Sequence, residues 1–330
     1  MRRREFITSF ASAAVAWTLA ARAQQPERAR RIGVLMGIAE TDPESQLRLA
    51  AFRSTLRGLE WVEGRNLQIE TRWSGGDPKL AKAHAKELVG LVPDLIFCHT
   101  TPALQAMQQE TSTIPIVFGL VSDPVGGGFV TSLAQPGGNI TGVTAFDFSM
   151  GAKWVEILKE VAPRVSRVAL VFSPDAAPFA TQYMRAGETV AASFGVKLVS
   201  MPIHNLAELD RSVAAFAAGP NGGLIVLPDA FTANQRTLIV DLAARHHLPA
   251  MYPFRYFSAL GGLVSYGIDP VEVFRRGATY VDRILRGAKP GDLPVQMPFK
   301  FELVINLKTA KTLGLEVPPA LLTRADEVMT

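Results

Sequence analysis

The chain has 330 residues, nearly half of them hydrophobic, with a formal net charge of +4 and a single cysteine. That length exceeds what one hydrophobic core organises, so two domains are expected, and one cysteine excludes any disulfide within the chain. The basic surplus does not point to nucleic acid: Arg2, Arg3, Arg4 and Arg22 against Glu5 give residues 1–23 a net of +3, leaving about +1 on the remainder.

The N-terminus reads as an export signal. Three arginines precede an apolar stretch from Phe6 to Ala21, and Ala21-Arg22-Ala23 offers the small-x-small pattern cut by signal peptidase, with cleavage expected after Ala23. The stretch is too short to span a membrane comfortably. Arg3-Arg4-Glu5-Phe6-Ile7 fits a twin-arginine signal. With Arg2 where Ser or Thr is usual, Sec export also stays open. No cysteine follows the apolar stretch, which argues against a lipid anchor.

Arg31 to Met36 is a short apolar run of the kind that forms a buried parallel strand. The pattern then predicts a helix over 43–59 with Leu47, Ala50, Ala51, Ser54 and Leu59 near one face, and a strand over 67–73. Asp77-Pro78 supplies a capping acid and a first-turn proline for a helix running to about Gly90. A strand over 95–99, a helix over 102–110 and a strand over 116–120 complete a series that builds a parallel sheet covered on both faces. Cys98 lies in the apolar run Leu95-Ile96-Phe97-Cys98 and is expected to pack as a small hydrophobe.

The rhythm restarts after about residue 148. Arg167 to Phe172 echoes Arg31 to Met36; a helix to Phe194, a strand over 197–201, a helix over 206–218, a strand over 223–227 and a helix over 234–246 follow. The fold class expected is α/β, with two Rossmann-like, doubly wound parallel-sheet lobes at 30–146 and 147–264 joined by a hinge. Strands over 261–268 and 299–305, with helices over 270–286 and 307–313, place residues 265–330 as returning segments that complete both lobes. Two such sheets face one crevice with their strand C-terminal ends, where open α/β sheets bind ligands.

Signatures of catalysis are missing. No Gly-x-Gly-x-x-Gly follows a strand, and the Gly126-Gly127-Gly128 and Gly137-Gly138 runs lack phosphate-loop spacing. The five histidines form no metal-binding pair on one helix face, and Ser265-Tyr266-Gly267 lacks the preceding glycine of a nucleophile elbow. A binding protein without cofactor or metal is the expectation, with a catalytic role as the alternative.

Ile114-Pro115-Ile116-Val117-Phe118, then Ser122-Asp123-Pro124-Val125-Gly126 and Ser132 to Gly142, together resemble the ABC transporter substrate-binding proteins of the tryptophan/tyrosine-binding type. Thr100-Thr101-Pro102, Gly58 to Leu67, and the spacing of Asn306, Ala310, Gly314 and Pro318 extend the resemblance over nearly all of the chain beyond the signal. It implies a type I periplasmic-binding fold and a periplasmic monomer. The partners it implies are a small amino-acid-like or aromatic carboxylate and the membrane subunits of an ABC permease. A sensory protein that presents its ligand to a membrane receptor is the alternative.

Site residues are expected just past strand ends, where helix N-termini favour an anion. Thr100 and Thr101 stand there, able to bind a carboxylate or to cap the helix at Pro102. Asp123 either meets the ligand or holds a turn. Asp229 either meets a ligand ammonium from the second lobe or caps the following helix, and Asp175 is a weaker candidate of the same kind. Tyr266 offers a ring and hydroxyl to a ligand or to the core, and Glu40 borders the cleft by position. Phe146, Phe148, Phe231, Tyr252 and Phe254 fall near strand ends or hinges.

Overall fold

The computed structural model describes residues 28–330. The export segment expected at residues 1–23 and its cleavage after Ala23 lie outside the described residues.

The first lobe alternates β1 (Arg30–Met36), α1 (Pro43–Gly58), β2 (Leu67–Trp73), α2 (Pro78–Gly90), β3 (Leu95–His99), α3 (Thr101–Glu110), β4 (Ile116–Val121) and β5 (Ile140–Thr144). Its five strands pair in parallel in the order β2-β1-β3-β4-β5. Proline at the first helical turn and an aspartate before it start α1 and α2. Asp42 accepts from the Ser45 N–H and Asp77 from the Lys79 N–H, satisfying amides that a helix start leaves free. β3 is buried at every position, which is why it reads as one continuous apolar run. Burial also pushes the Cys98 thiol pKa up, making it inert.

The second lobe comprises α4 (Met150–Val161), β6 (Arg167–Phe172), α5 (Ala180–Ala191), β7 (Lys197–Pro202), α6 (Leu206–Ala217), β8 (Gly222–Val226), α7 (Ala230–Asn234), α8 (Arg236–Arg245), β9 (Ala250–Tyr252), α9 (Arg255–Ala259) and β10 (Val264–Gly267). The chain then returns to the first lobe as α10 (Pro270–Leu285), whose Phe274, Tyr280 and Val281 join the core beneath α1. It crosses back a last time for β11 (Glu302–Asn306), α11 (Leu307–Thr312), α12 (Pro319–Arg324) and β12 (Glu327–Met329). The second sheet runs β12-β11-β10-β9-β8-β6-β7. It departs from the purely parallel expectation at one place: β11 arrives from the other lobe and lies antiparallel to β10.

The buried stripe of α1 is Ser45, Arg48, Leu49, Phe52 and Leu56, while Leu47 is 56% exposed. The expected face was drawn on the wrong side because Arg48 interrupts the stripe. The Pro136 to Asn139 block, which carried much of the resemblance, has a structural role. Gly137 donates its N–H to Gly291 O at 3.2 Å and Asn139 Nδ2 to Ile114 O at 2.7 Å. With Thr141 Oγ1 on Leu293 O at 2.6 Å, it seats the returning strap against β5.

Candidate ligand site in the interlobe cleft

Both sheets share the strand order 2-1-3-4-5 from their own first strands, so each has its switch point, the usual crevice for ligands, at the C-terminal ends of its strands. These ends meet across a small cavity of about 30 Å³. The first lobe contributes Ile38, Arg48, His99, Thr100 and Thr101; the second contributes Phe179, Pro228, Asp229, Phe254 and Tyr256. The lobes are closed on each other. Arg236 of the second lobe, itself partly buried, forms an ion pair with the buried Asp42 of the first, and Ala39 N–H donates to Asn234 Oδ1 at 3.3 Å.

Arg48 is the unusual group. It is 1% exposed, yet its Nε and Nη2 have no hydrogen-bond partner. These two nitrogens form one edge of the guanidinium, the edge whose parallel N–H bonds match a carboxylate bidentately. The flat group is held from the second lobe by Tyr256, whose ring centroid lies 5.5 Å from Arg48 Cζ. Arg236 approaches the same ring at 5.4 Å, and Tyr256 stacks on Phe254 and Phe257 with centroids 5.2 and 5.0 Å away. Burial raises the Tyr256 pKa to about 12, so its hydroxyl, also unpartnered, stays protonated as a donor.

Two further buried polar atoms at these walls lack partners, His99 Nδ1 and Thr100 Oγ1. Burial, then the Arg48 charge, hold the His99 pKa well below its ordinary value, so the imidazole is neutral. Thr100 has φ +84°, a conformation rare for a β-branched residue, and strain of this kind clusters at ligand sites. Gly37 makes room for it, since a Cβ there would fall 2.1 Å from Thr100 Oγ1.

Asp229 faces the cavity and also caps α7. Its Oδ1 accepts from Thr232 N–H at 2.8 Å and its Oδ2 from Ser173 N–H at 3.0 Å. Desolvation nonetheless raises its pKa to about 7, against the lowering effect of these bonds. Each oxygen keeps a second lone pair, so capping and receipt of a ligand cation are compatible. Thr101 lines the same cavity and accepts from Ser122 N–H at 3.4 Å.

Other expected residues lie elsewhere. Asp123 turns away from this cavity and lines a neighbouring space. Tyr266 is a correction: its ring stacks on Phe301 at 5.8 Å and its carbonyl accepts from Trp154 Nε1, so it belongs to hinge packing and not to the cavity wall. Glu40 is likewise exposed outside the wall, its carbonyl accepting from Gln46, because the loop turns outward before Asp42 caps α1. Asp175 is exposed as well. Of the aromatics, Phe254 lines the cavity, whereas Tyr252 and Phe146 are core. Sequence reasoning did not single out Arg48, His99 or Tyr256. A signal existed for Arg48, a charge standing in the i, i+3, i+4 stripe of a buried helix face.

Among the described residues no helix is long and apolar enough to cross a membrane, and no cluster of three or more His, Cys, Asp or Glu side chains could hold a metal ion.

Comparison with known proteins gives this geometry a family. A family model for the ABC transporter substrate binding protein matches residues 36–329. A conserved domain protein from Vibrio cholerae superposes with a TM-score of 0.85 at 30% identity, covering 91% of this chain and 100% of that one. A Streptococcus pneumoniae ABC domain in complex with L-Trp superposes with a TM-score of 0.84 at 25% identity, covering 91% and 99%. The tyrosine-binding protein of Clostridioides difficile is 24% identical over 265 residues, 80% of this chain and 76% of that protein. The two-lobed α/β fold is that of periplasmic solute-binding proteins, as the resemblance implied. Such proteins bind small-molecule solutes and are not an enzyme family. The chain belongs to the ABC transporter substrate binding protein family.

Proposed function

We propose that the protein is exported to the periplasm and works there as the monomeric binding component of an ABC importer, clamping a small amino-acid-like or aromatic carboxylate between its lobes. The observation that carries the ligand class is the free edge of Arg48, a buried cation with two parallel donors and nothing to receive them. Asp229, across the same cavity, offers the complementary charge to an ammonium, and Thr100, His99 and Tyr256 surround the head with neutral polar atoms. Relatives named for tyrosine and solved with L-Trp support an amino-acid ligand. The small volume between the closed lobes calls for the lobes to part for entry.

A thermal-shift and calorimetric screen of amino acids, with sugars and dicarboxylates as controls, tests the reading. A ligand at about 100 times its Kd stabilises the protein by roughly 2.7 kcal/mol. A response to sugars and none to any amino acid would overturn it. Export is checked by mass spectrometry of the periplasmic fraction, where the mature chain should begin at Gln24.

A further inference from the structure

Away from the cleft, the hinge itself encloses a cavity of about 240 Å³. All three passages of the chain between the lobes contribute to its walls. Val143 stands at the end of β5, where the chain first leaves the first lobe. Ile268 and Asp269 form the second passage, into α10, and Pro298, Phe299 and Lys300 belong to the third, ahead of β11. The cleft cavity, about 30 Å³, shares none of these residues.

Its floor is apolar, since Val143, Ile268 and the Val273 side chain of α10 are all buried. One wall is Phe299, 75% exposed yet held in place by Arg276, whose Cζ lies 3.9 Å from the ring centroid. The rim is charged, and its pairs are unevenly made. Lys300 meets Glu302 at 2.8 Å, and Asp269 is occupied as the N-cap of α10, accepting the Val271 N–H at 2.8 Å. Arg275 and Arg276 instead share the single carboxylate of Glu272, one on each oxygen and both at 3.5 Å. A charge-assisted pair closes to about 2.7–2.9 Å, so both guanidiniums keep donors beyond what Glu272 satisfies. The positive end of the α10 dipole lies beside them and offsets the charge of Asp269. An apolar floor under two such cations matches a molecule divided the same way, an aliphatic chain ending in a carboxylate.

We propose that the hinge cavity is a second ligand site, separate from the cleft, which takes an amphipathic aliphatic monocarboxylate. The chain lies on Val143, Ile268 and Val273 beside the Phe299 ring, and the carboxylate sits between Arg275 and Arg276. The volume falls just below the range of about 300–1,000 Å³ usual for drug-sized ligands, which suits a chain of roughly eight carbons. Because the walls are the segments that bend when the lobes part, an occupant ties the three passages together.

Hexanoate, octanoate and n-octanol, titrated calorimetrically into the full-length mature protein, separate the chain from the head. Octanoate should bind at least about tenfold tighter than hexanoate, since each buried methylene is worth roughly fourfold. It should also bind at least about tenfold tighter than n-octanol, which lacks the charge. Arg275→Glu should weaken octanoate at least about tenfold and n-octanol by less than about threefold. Phe299→Ala should weaken both at least about threefold by removing a wall. Both side chains are exposed, so the variants should melt without ligand as wild type does. Hydrogen exchange locates the site: octanoate should slow exchange in residues 267–271 and 296–302 and leave the amides around Thr100 unchanged. Octanoate that does not bind, that gains nothing over hexanoate or n-octanol, that protects only the cleft, or that binds Arg275→Glu as tightly as wild type would overturn the proposal.

Discussion

Replacing Arg48 by methionine separates a binding role from a structural one, because the two predict opposite signs. In the ligand-free protein the guanidinium is 1% exposed with Nε and Nη2 unpartnered. Leaving such donors buried costs about 1–3 kcal/mol or more. The contact with the Tyr256 ring at 5.5 Å returns about 2 kcal/mol at so desolvated a site, which at most offsets that cost. Methionine keeps most of the apolar stem and removes the charge, so Arg48→Met without ligand should melt at the same temperature as wild type or a few degrees higher, at roughly 2–4 °C per kcal/mol. Binding should go the other way. Losing one partner of a desolvated, bidentate charge pair costs about 2–5 kcal/mol, roughly 30-fold to several-thousand-fold in Kd. Arg48→Lys should recover little, since an ammonium presents a point charge where the site is shaped for a fork. Scanning calorimetry of the free protein and titration with whichever amino acid wild type binds read both effects. A methionine variant that melts several degrees lower and binds normally would refute the reasoning.

Burial raises the Asp229 pKa to about 7 from 3.8, so between these values the folded protein holds a proton that the unfolded chain has released. Its stabilising contribution is full below pH 4 and is lost as pH rises to about 7, with a slope of up to about 1.4 kcal/mol per pH unit that Asp229→Asn should abolish in melts across pH 4–8. A ligand ammonium favours the carboxylate, so binding near pH 6.5 should release a proton, seen as a dependence of binding heat on buffer ionisation that the same variant loses. Arg236→Ala breaks the cross-lobe pair with Asp42, leaving that acid buried without its cation. Small-angle scattering should then report a larger radius of gyration in the ligand-free protein than for wild type; an unchanged radius would mean that other contacts hold the lobes together. Gly37→Ala places a Cβ 2.1 Å from Thr100 Oγ1 and 2.7 Å from His99 O. It should cost about 1–3 kcal/mol in a denaturant titration and weaken ligand binding together with stability.

Much of the fold was legible in the residues because parallel strands covered on both faces leave uninterrupted apolar runs. Ile32 to Met36 and Leu95 to Cys98 are such runs, and every position in them is buried. β5 was overlooked because Ile-Thr-Gly-Val-Thr mixes hydroxyls and a glycine into a buried strand, its Thr141 satisfied only by the strap that returns from Leu293. β9 has three residues, too few for any period to show. The candidate site was half legible. Thr100, Thr101 and Asp229 follow from topology, since each stands one to three residues past a strand and such positions face the crevice. Arg48 and Tyr256 could not be found this way. They sit on helices of different lobes, 208 positions apart, and only closure brings the guanidinium against the ring. What made Arg48 conspicuous was a deficit, two donors without acceptors, and a deficit exists only once every neighbour is in place.

The three crossings between lobes have a consequence for how the chain can mature. The first lobe's core includes Phe274, which meets Phe97 edge-on at 5.1 Å, and Tyr280, which bonds to the Pro294 carbonyl. A segment synthesised about 120 residues after β5 therefore roofs the lobe that emerged first, and the second lobe's sheet lacks two strands until β11 and β12 follow. Neither lobe can be cut out as an autonomous unit, and a ribosome-bound nascent chain displays unroofed apolar surface until its last tenth is made. Deleting residues 302–330 should thus leave the second lobe unfinished, although no residue of that tail touches the cleft.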